Sequence, residues 1–328
     1  MFQIVALWNL ARPDKDFGNL EINSRGYSPD TFLTGQFVTK LASKEIRPLS
    51  VSDIADFLCP TRRDLYIKKG KNKPCKVKIR KTWGGIAGSI VENFSLNLLT
   101  KDNKNLSTYS DIIGKVNQIS ENFKDNKDSE FKRLAALKGR PEEDPDWLRM
   151  LLTYNGRAEL GFKLLHKALF KEDGEMNIDD INITSCQLKP NYLQIGISSP
   201  VKPDFLIEKH NIVGDIKSGI GGFKDYYLLT CTGYALAFEN AKGKGNDINF
   251  GIIYFFPTRH SEYVKPISFV QVYIFPIDDN LRDYFLQKRD EAYEIVSRNS
   301  TPDFPSKDTQ HCNYCPYFDF CKSEGLKL

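Results

Sequence analysis

The sequence predicts an α/β protein in which a mixed sheet is flanked by helices. Three observations carry this. An apolar stripe at helical spacing runs through Trp147 to Phe170, the pattern changes to short strand-like runs from Ile181, and a further helix separates those strands from two later ones. The resulting order is helix, three strands, helix, two strands, and such an order packs as a mixed sheet with helices on its faces.

Taken in order, Ser52 to Lys69 begins with Ser52 and Asp53 as N-cap candidates and spaces Ile54, Phe57, Leu58, Leu65 and Ile67 as short helices would. Gly88 to Leu99 reads as a helix. The charged, Asn-rich stretch from Lys101 to Asp144 opens an inserted helical region of about 100–180, closed by the stripe of Leu148, Leu151, Leu152, Leu160, Leu164 and Leu165. Tyr192 to Ser198, Pro203 to Glu208 and Ile212 to Lys217 are rich in Ile, Val, Leu and Phe and read as strands, with Lys209-His210-Asn211 as a tight turn. Glycines 219, 221 and 222 open a loop before a helix from Phe223 to Asn240. Strands from Asn249 to Phe256 and from Ser268 to Phe275 follow, then a helix from Leu281 to Ser297.

The 328 residues are 41% apolar and 12% aromatic, ample for a packed core, and the formal charge is only +4. Yet Lys68 to Lys81 holds eight Lys or Arg residues and no acid, which makes a polyanion a plausible partner. Met1 to Leu10 lacks a basic region and a cleavage site, so no signal peptide is expected. No apolar run approaches the roughly 18 residues needed to cross a bilayer. A cytoplasmic protein is expected, without a membrane partner.

The sharpest chemistry lies in Pro203-Asp204 and Asp215-Ile216-Lys217. Side chains alternate along a strand, so Asp215 and Lys217 share a face, and the short turn brings Asp204 beside them. Two close carboxylates repel unless a cation sits between them, and hard oxygen ligands suit Mg²⁺ or Mn²⁺. A metal held there polarises a phosphate and acidifies a bound water, while Lys217 orients that water or offsets charge in the transition state. Aspartate is disfavoured inside strands, and both acids stand among apolar residues, which argues against an incidental surface pair.

This arrangement resembles the PD-(D/E)xK nuclease superfamily, with Asp at a position where Glu is commoner. The resemblance implies a restriction-endonuclease-like αβββαβ core and a metal set of Glu92, Asp204, Asp215 and Ile216, Glu92 coming from the helix Gly88-Ser-Ile-Val-Glu92. RecB-like members carry Gln and Tyr one turn apart on the following helix. Here Tyr234 is present, while Thr230 stands where Gln is expected. Tyr234 is thus a candidate site residue or a core residue.

Seven cysteines is an odd number for a disulfide framework, and their spacing points to metal binding instead. Cys312-Asn-Tyr-Cys315 is a two-residue-gap pair, Cys321 adds a third thiol, and Cys59 in Phe57-Leu58-Cys59-Pro60 is the best fourth. Cys75, inside the basic run, is the alternative fourth ligand; Cys186 and Cys231 read as buried core thiols. Zinc is favoured if His311 replaces a cysteine. One early cysteine with a C-terminal trio resembles the iron-sulfur nucleases among RecB-like proteins, including the CRISPR-associated exonuclease Cas-four, whose N-terminal signature Cys59-Pro60, Arg62, Arg63, Leu65 and Tyr66 also matches. The chain is longer than a typical member, closer to the larger archaeal type I-A variants.

The organisation expected from this reading is an N-terminal segment of 1–50, a cluster and basic cap of 51–82, a RecB-like core of 83–300 containing the insertion, and an iron-sulfur segment of 301–328. The function implied is a Mg²⁺ or Mn²⁺ dependent DNA exonuclease with a 4Fe-4S cluster, acting on single-stranded or frayed ends and trimming fragments for a CRISPR integrase. Tyr66, Trp83 and Tyr227 are aromatics on which bases could stack. Two other readings are a catalytically weak DNA-recognition subunit of the integration complex and a DNA-repair nuclease subunit. No Gly-x4-Gly-Lys-Ser/Thr phosphate loop occurs, so any motor belongs to another protein.

Overall fold

The computed structural model describes residues 31–56, 59–71, 187–207, 211–219, 223–243, 245–257, 271–305, 312 and 315–326. Their elements are α1 (Gly35–Ala42), α2 (Val51–Ala55), α3 (Arg63–Leu65, continued by a π-helical turn, Tyr66–Gly70), α4 (Tyr192–Ile195), β1 (Phe205–Ile207), β2 (Ile212–Gly219), α5 (Tyr226–Lys242), β3 (Phe250–Pro257), β4 (Gln271–Pro276), α6 (Asp279–Val296) and α7 (Phe318–Ser323). The expected helices Gly88 to Leu99 and Trp147 to Phe170, with Glu92, Cys75, Cys186, Trp83 and His311, lie outside the described residues.

The sheet order is β1-β2-β3-β4. β1 pairs antiparallel with β2, β2 parallel with β3, and β3 antiparallel with β4. A parallel pair needs a crossover rather than a hairpin, and α5 is that crossover. It is apolar on all sides, with Leu229, Cys231, Ala235, Leu236, Ala237 and Phe238 buried, because it lies between the sheet and other helices. Gly233 lets the helices close: a Cβ there would sit 2.7 Å from side-chain atoms of Val51 and Phe285.

The expected strands 203–208, 212–217, 249–256 and 268–275 and helices 223–240 and 281–297 fall on β1 to β4, α5 and α6 with small shifts of their ends. Tyr192 to Ser198 is corrected. It forms a short helix, not a strand, because the Asn191 side chain accepts from the Leu193 N–H and Gly196 at φ 74 provides a left-handed stop. Only Ile197 beyond it pairs, in an isolated parallel bridge with Leu49. Among the described residues, two strands rather than three therefore precede α5 in the sheet. The cap of α2 is also shifted: Ser50 and Asp53 form a reciprocal capping box, so Asp53 is a third helical residue rather than the N-cap.

Buried polar groups tie distant segments together. Glu239 on α5 and Arg282 on α6, 0% and 1% exposed, form an ion pair; Glu239 Oε1 also accepts from Ile248 N at 2.9 Å, and Arg282 donates to the Ile277 and Ile248 carbonyls. Arg289 donates to the carbonyls of Thr31 and Ile195, and the Tyr293 hydroxyl to that of Gly196 at 2.7 Å. These bonds fasten the segment before α1, and α4, onto α6.

Candidate functional site

Two clusters of chemically capable side chains stand out, one on the sheet and one beside α7. On the sheet, the β1–β2 register pairs Phe205 with Gly214, so Asp204, one residue earlier, falls opposite Asp215. Asp215 is 1% exposed in the body of β2, where Ile253 is its neighbour on β3. Lys217, two residues on and therefore on the same face, brings Nζ to 2.5 Å from Asp215 Oδ2 as an ion pair. Lys217 is the partner of that buried oxygen. Ile216 lies between them, in register with Tyr254.

Burial works against the Lys217 charge, but Asp215 and then Asp204 more than offset it, so the amine is held above its ordinary pKa and stays an ammonium. The first turn of α5 adds two phenols that the sequence reading had not singled out as a pair. Tyr226 and Tyr227 meet edge to face at 4.7 Å, and Lys217 Nζ sits 5.8 Å from the Tyr227 ring centre. Burial raises both, with Tyr227 raising Tyr226 further and Asp56 and Asp215 adding to each, so both stay protonated at neutral pH. The signal was their place in the first helical turn after a glycine loop that follows Asp-x-Lys. Tyr227 and Tyr66 are both buried, which leaves neither ring free to stack on a base as expected.

Tyr234 packs half-buried against the main core, and Thr230 Oγ1 bonds back to the Tyr226 carbonyl at 3.2 Å. Cys231 is a buried core thiol, raised well above its ordinary pKa by burial and by the Asp215 charge. Glu92 lies outside the described residues.

The second cluster is a small cavity whose wall includes all four of Cys59, Cys312, Cys315 and Cys321. Cys315 N bonds to the Cys312 carbonyl at 3.0 Å, which makes a tight turn of the two-residue gap, and α7 carries Cys321. Burial, and then the Asp64, Cys59 and Cys321 charges, push the Cys315 thiol up to about 12. Such sulfurs become thiolates only against compensating positive charge. Among the described residues, no three His, Cys, Asp or Glu side chains gather closely enough to hold one metal ion.

Acids from neighbouring strands and a charged lysine thus share one patch of the sheet. The family model that matches is CRISPR-associated exonuclease Csa1, over residues 191–324. That stretch holds Asp204, Asp215, Lys217, Tyr234, Cys312, Cys315 and Cys321, and excludes Cys59 and Glu92. Over it the chain is similar to CRISPR-associated exonucleases, which supports the Cas-four-like resemblance read from the motifs. No curated protein and no solved structure matches the chain. No helix among the described residues is long and apolar enough to cross a membrane.

Proposed function

We propose that the chain is a Mg²⁺ or Mn²⁺ dependent DNA exonuclease on a restriction-endonuclease-like core, with a 4Fe-4S cluster held by Cys59, Cys312, Cys315 and Cys321. The observation that carries the nuclease reading is Asp215: a buried strand carboxylate with Asp204 opposite it and the Lys217 ammonium on the same face. Two acids beside a single ammonium leave negative charge on the patch, and a hard cation is the partner its chemistry fits. Bound there by Asp204, Asp215 and Glu92, the metal would polarise the scissile phosphate and acidify a water.

The chain's own residues do the rest. Lys217, charged and fixed by Asp215, donates to the attacking water or to a phosphate oxygen, and as an ammonium it is not a base. Tyr227 lies against Lys217, and the Tyr226 phenol is hydrogen-bonded to Tyr227. The basic run from Lys68 to Lys81 would follow the phosphate backbone of single-stranded or frayed ends.

An iron-sulfur centre is favoured over zinc by the cysteine cavity. Four cysteines share its wall, and a cubane asks each cysteine for a different iron. The similarity to CRISPR-associated exonucleases supports a role in trimming DNA ends before an integrase inserts them, with integrase proteins as partners in the cytoplasm.

The test is cleavage of end-labelled single-stranded DNA by anaerobically purified protein with Mn²⁺, beside Asp215→Ala and Lys217→Ala, with the absorbance near 400 nm recorded. A brown protein that degrades DNA only with both residues intact supports the proposal. A brown but inert wild type that still binds DNA would indicate a recognition subunit, and a colourless zinc protein would remove the cluster.

A further inference from the structure

Arg63 is 5% exposed, yet only part of its guanidinium is engaged. Nη1 donates to the Pro302 carbonyl, Nη2 to Glu324, and the group lies 4.1 Å over the Phe304 ring. Nε is buried and has no hydrogen-bond partner among the described residues. The same side chain forms part of the cavity wall beside Cys321. A buried, unpartnered N–H in the wall of a thiol-lined cavity is a donor waiting for an acceptor, and sulfur bonded to iron is one.

We propose that Arg63 is a positioning residue for the cofactor, its Nε–H donating to the Cys321 sulfur once that sulfur ligates the iron-sulfur centre. The inference rests on the cluster proposed above. A charged donor at a ligating thiolate stabilises the more negative, reduced state of the centre, and it shields that sulfur from exchange. The bonds to Pro302 and Glu324 fix the guanidinium in place, so this donor is set by the cap before the cofactor arrives.

The experiment uses the full chain, loaded anaerobically, in three forms: wild type, Arg63→Lys and Glu324→Gln. Arg63→Lys keeps the charge but removes Nε. It is expected to shift the midpoint potential of the centre to a more negative value and to shorten the lifetime of the absorbance near 400 nm in air. Glu324→Gln keeps Nε and is expected to lower the melting temperature and to move the potential less than Arg63→Lys does. An unchanged potential in Arg63→Lys, or an equal shift in both variants, overturns the proposal.

If Arg63→Lys does not fold, the wild type decides alone. With guanidino-¹⁵N arginine incorporated, the reduced centre is expected to show a ¹⁵N coupling in pulsed electron paramagnetic resonance, and its absence overturns the proposal. A wild type that takes up no iron and sulfide overturns the cofactor reading as well, whereas iron uptake with no coupling overturns only the role of Arg63.

Discussion

The carboxylate site and the cysteine cavity are built in different ways. Asp215 and Lys217 stand on β2, with β1 on one side and β3 on the other, so the backbone ladder positions them. The cavity joins segments more than 250 residues apart in sequence, Cys59 and Arg63 on one hand, Cys315, Cys321 and Glu324 on the other. Side-chain bonds such as Arg63 to Glu324 and Pro302, rather than a ladder, hold them together. A ladder shares its strain over many hydrogen bonds, while a few side-chain bonds and a bound cofactor do not. The sheet site should therefore tolerate loss of the cofactor better than the cap does.

The largest expected effect tests the sheet site. Asp215→Asn keeps the shape of the carboxylate but removes its charge, and cleavage is expected to fall by about 10³-fold or more. DNA binding and far-ultraviolet circular dichroism should stay as in the wild type. Retained cleavage would mean that the chemistry lies elsewhere in the chain.

Next is the bolt between the two helices that carry the sheet. Glu239→Ala leaves the Arg282 guanidinium buried without its carboxylate and removes the acceptor of the Ile248 N–H. Breaking a buried pair by removing one partner costs about 3–5 kcal/mol. Denaturant unfolding should show that loss, and Glu239→Gln, which keeps an acceptor, should show a smaller one. Equal losses would mean that the hydrogen bonds contribute nothing beyond the ionic part.

Those bolts also mark the limit of what the sequence discloses. The β2 strand, α5 and α6 were legible because their periodicity is local, and Asp204, Asp215 and Lys217 followed from alternation on paired strands. The Ser50 cap was legible in principle, since Ser50-x-x-Asp53 is a capping-box pattern, but the apolar spacing drew attention two residues later. The Tyr192 segment misled because an alternating apolar run of this length is ambiguous, and Asn191 with Gly196 settles it as a helical turn. Arg63, Arg282 and Arg289 were not legible as bolts, since each meets partners tens to hundreds of residues away. A lone arginine in a sequence carries no sign of what it will reach.

Replacing a cysteine tests the contrast from the cap side. Cys321→Ser is expected to bleach the absorbance near 400 nm and to expose the segment around α7 to limited proteolysis, while α5 and the sheet stay protected in hydrogen exchange. Uniform loss of protection across the sheet would show that the cofactor supports the whole molecule, and the comparison between the two regions would fail.

The smallest effect lies where the two regions join. Asp53 caps α2 and holds Lys68 and Lys69, both just beyond α3, while Arg62 donates to the carbonyls of Asp53 and Asp56. Burial alone would raise the Asp53 carboxyl, but the Lys68 hydrogen bond and charge, with Lys69 and the Ser50 N–H, hold it at about 2 against an ordinary 3.8. A depressed carboxylate pKa contributes stability that is fully present above the ordinary value and is lost as pH falls toward 2. The difference between these values corresponds to about 2 kcal/mol, an upper figure because Lys68 is half exposed and screened by solvent. Asp53→Asn should then be less stable than the wild type at pH 7 by up to that amount, with the gap closing between pH 4 and 2 and narrowing in high salt. A gap that stays constant with pH would assign the role of Asp53 to its capping hydrogen bonds rather than to its charge, and would leave the basic segment free of α2.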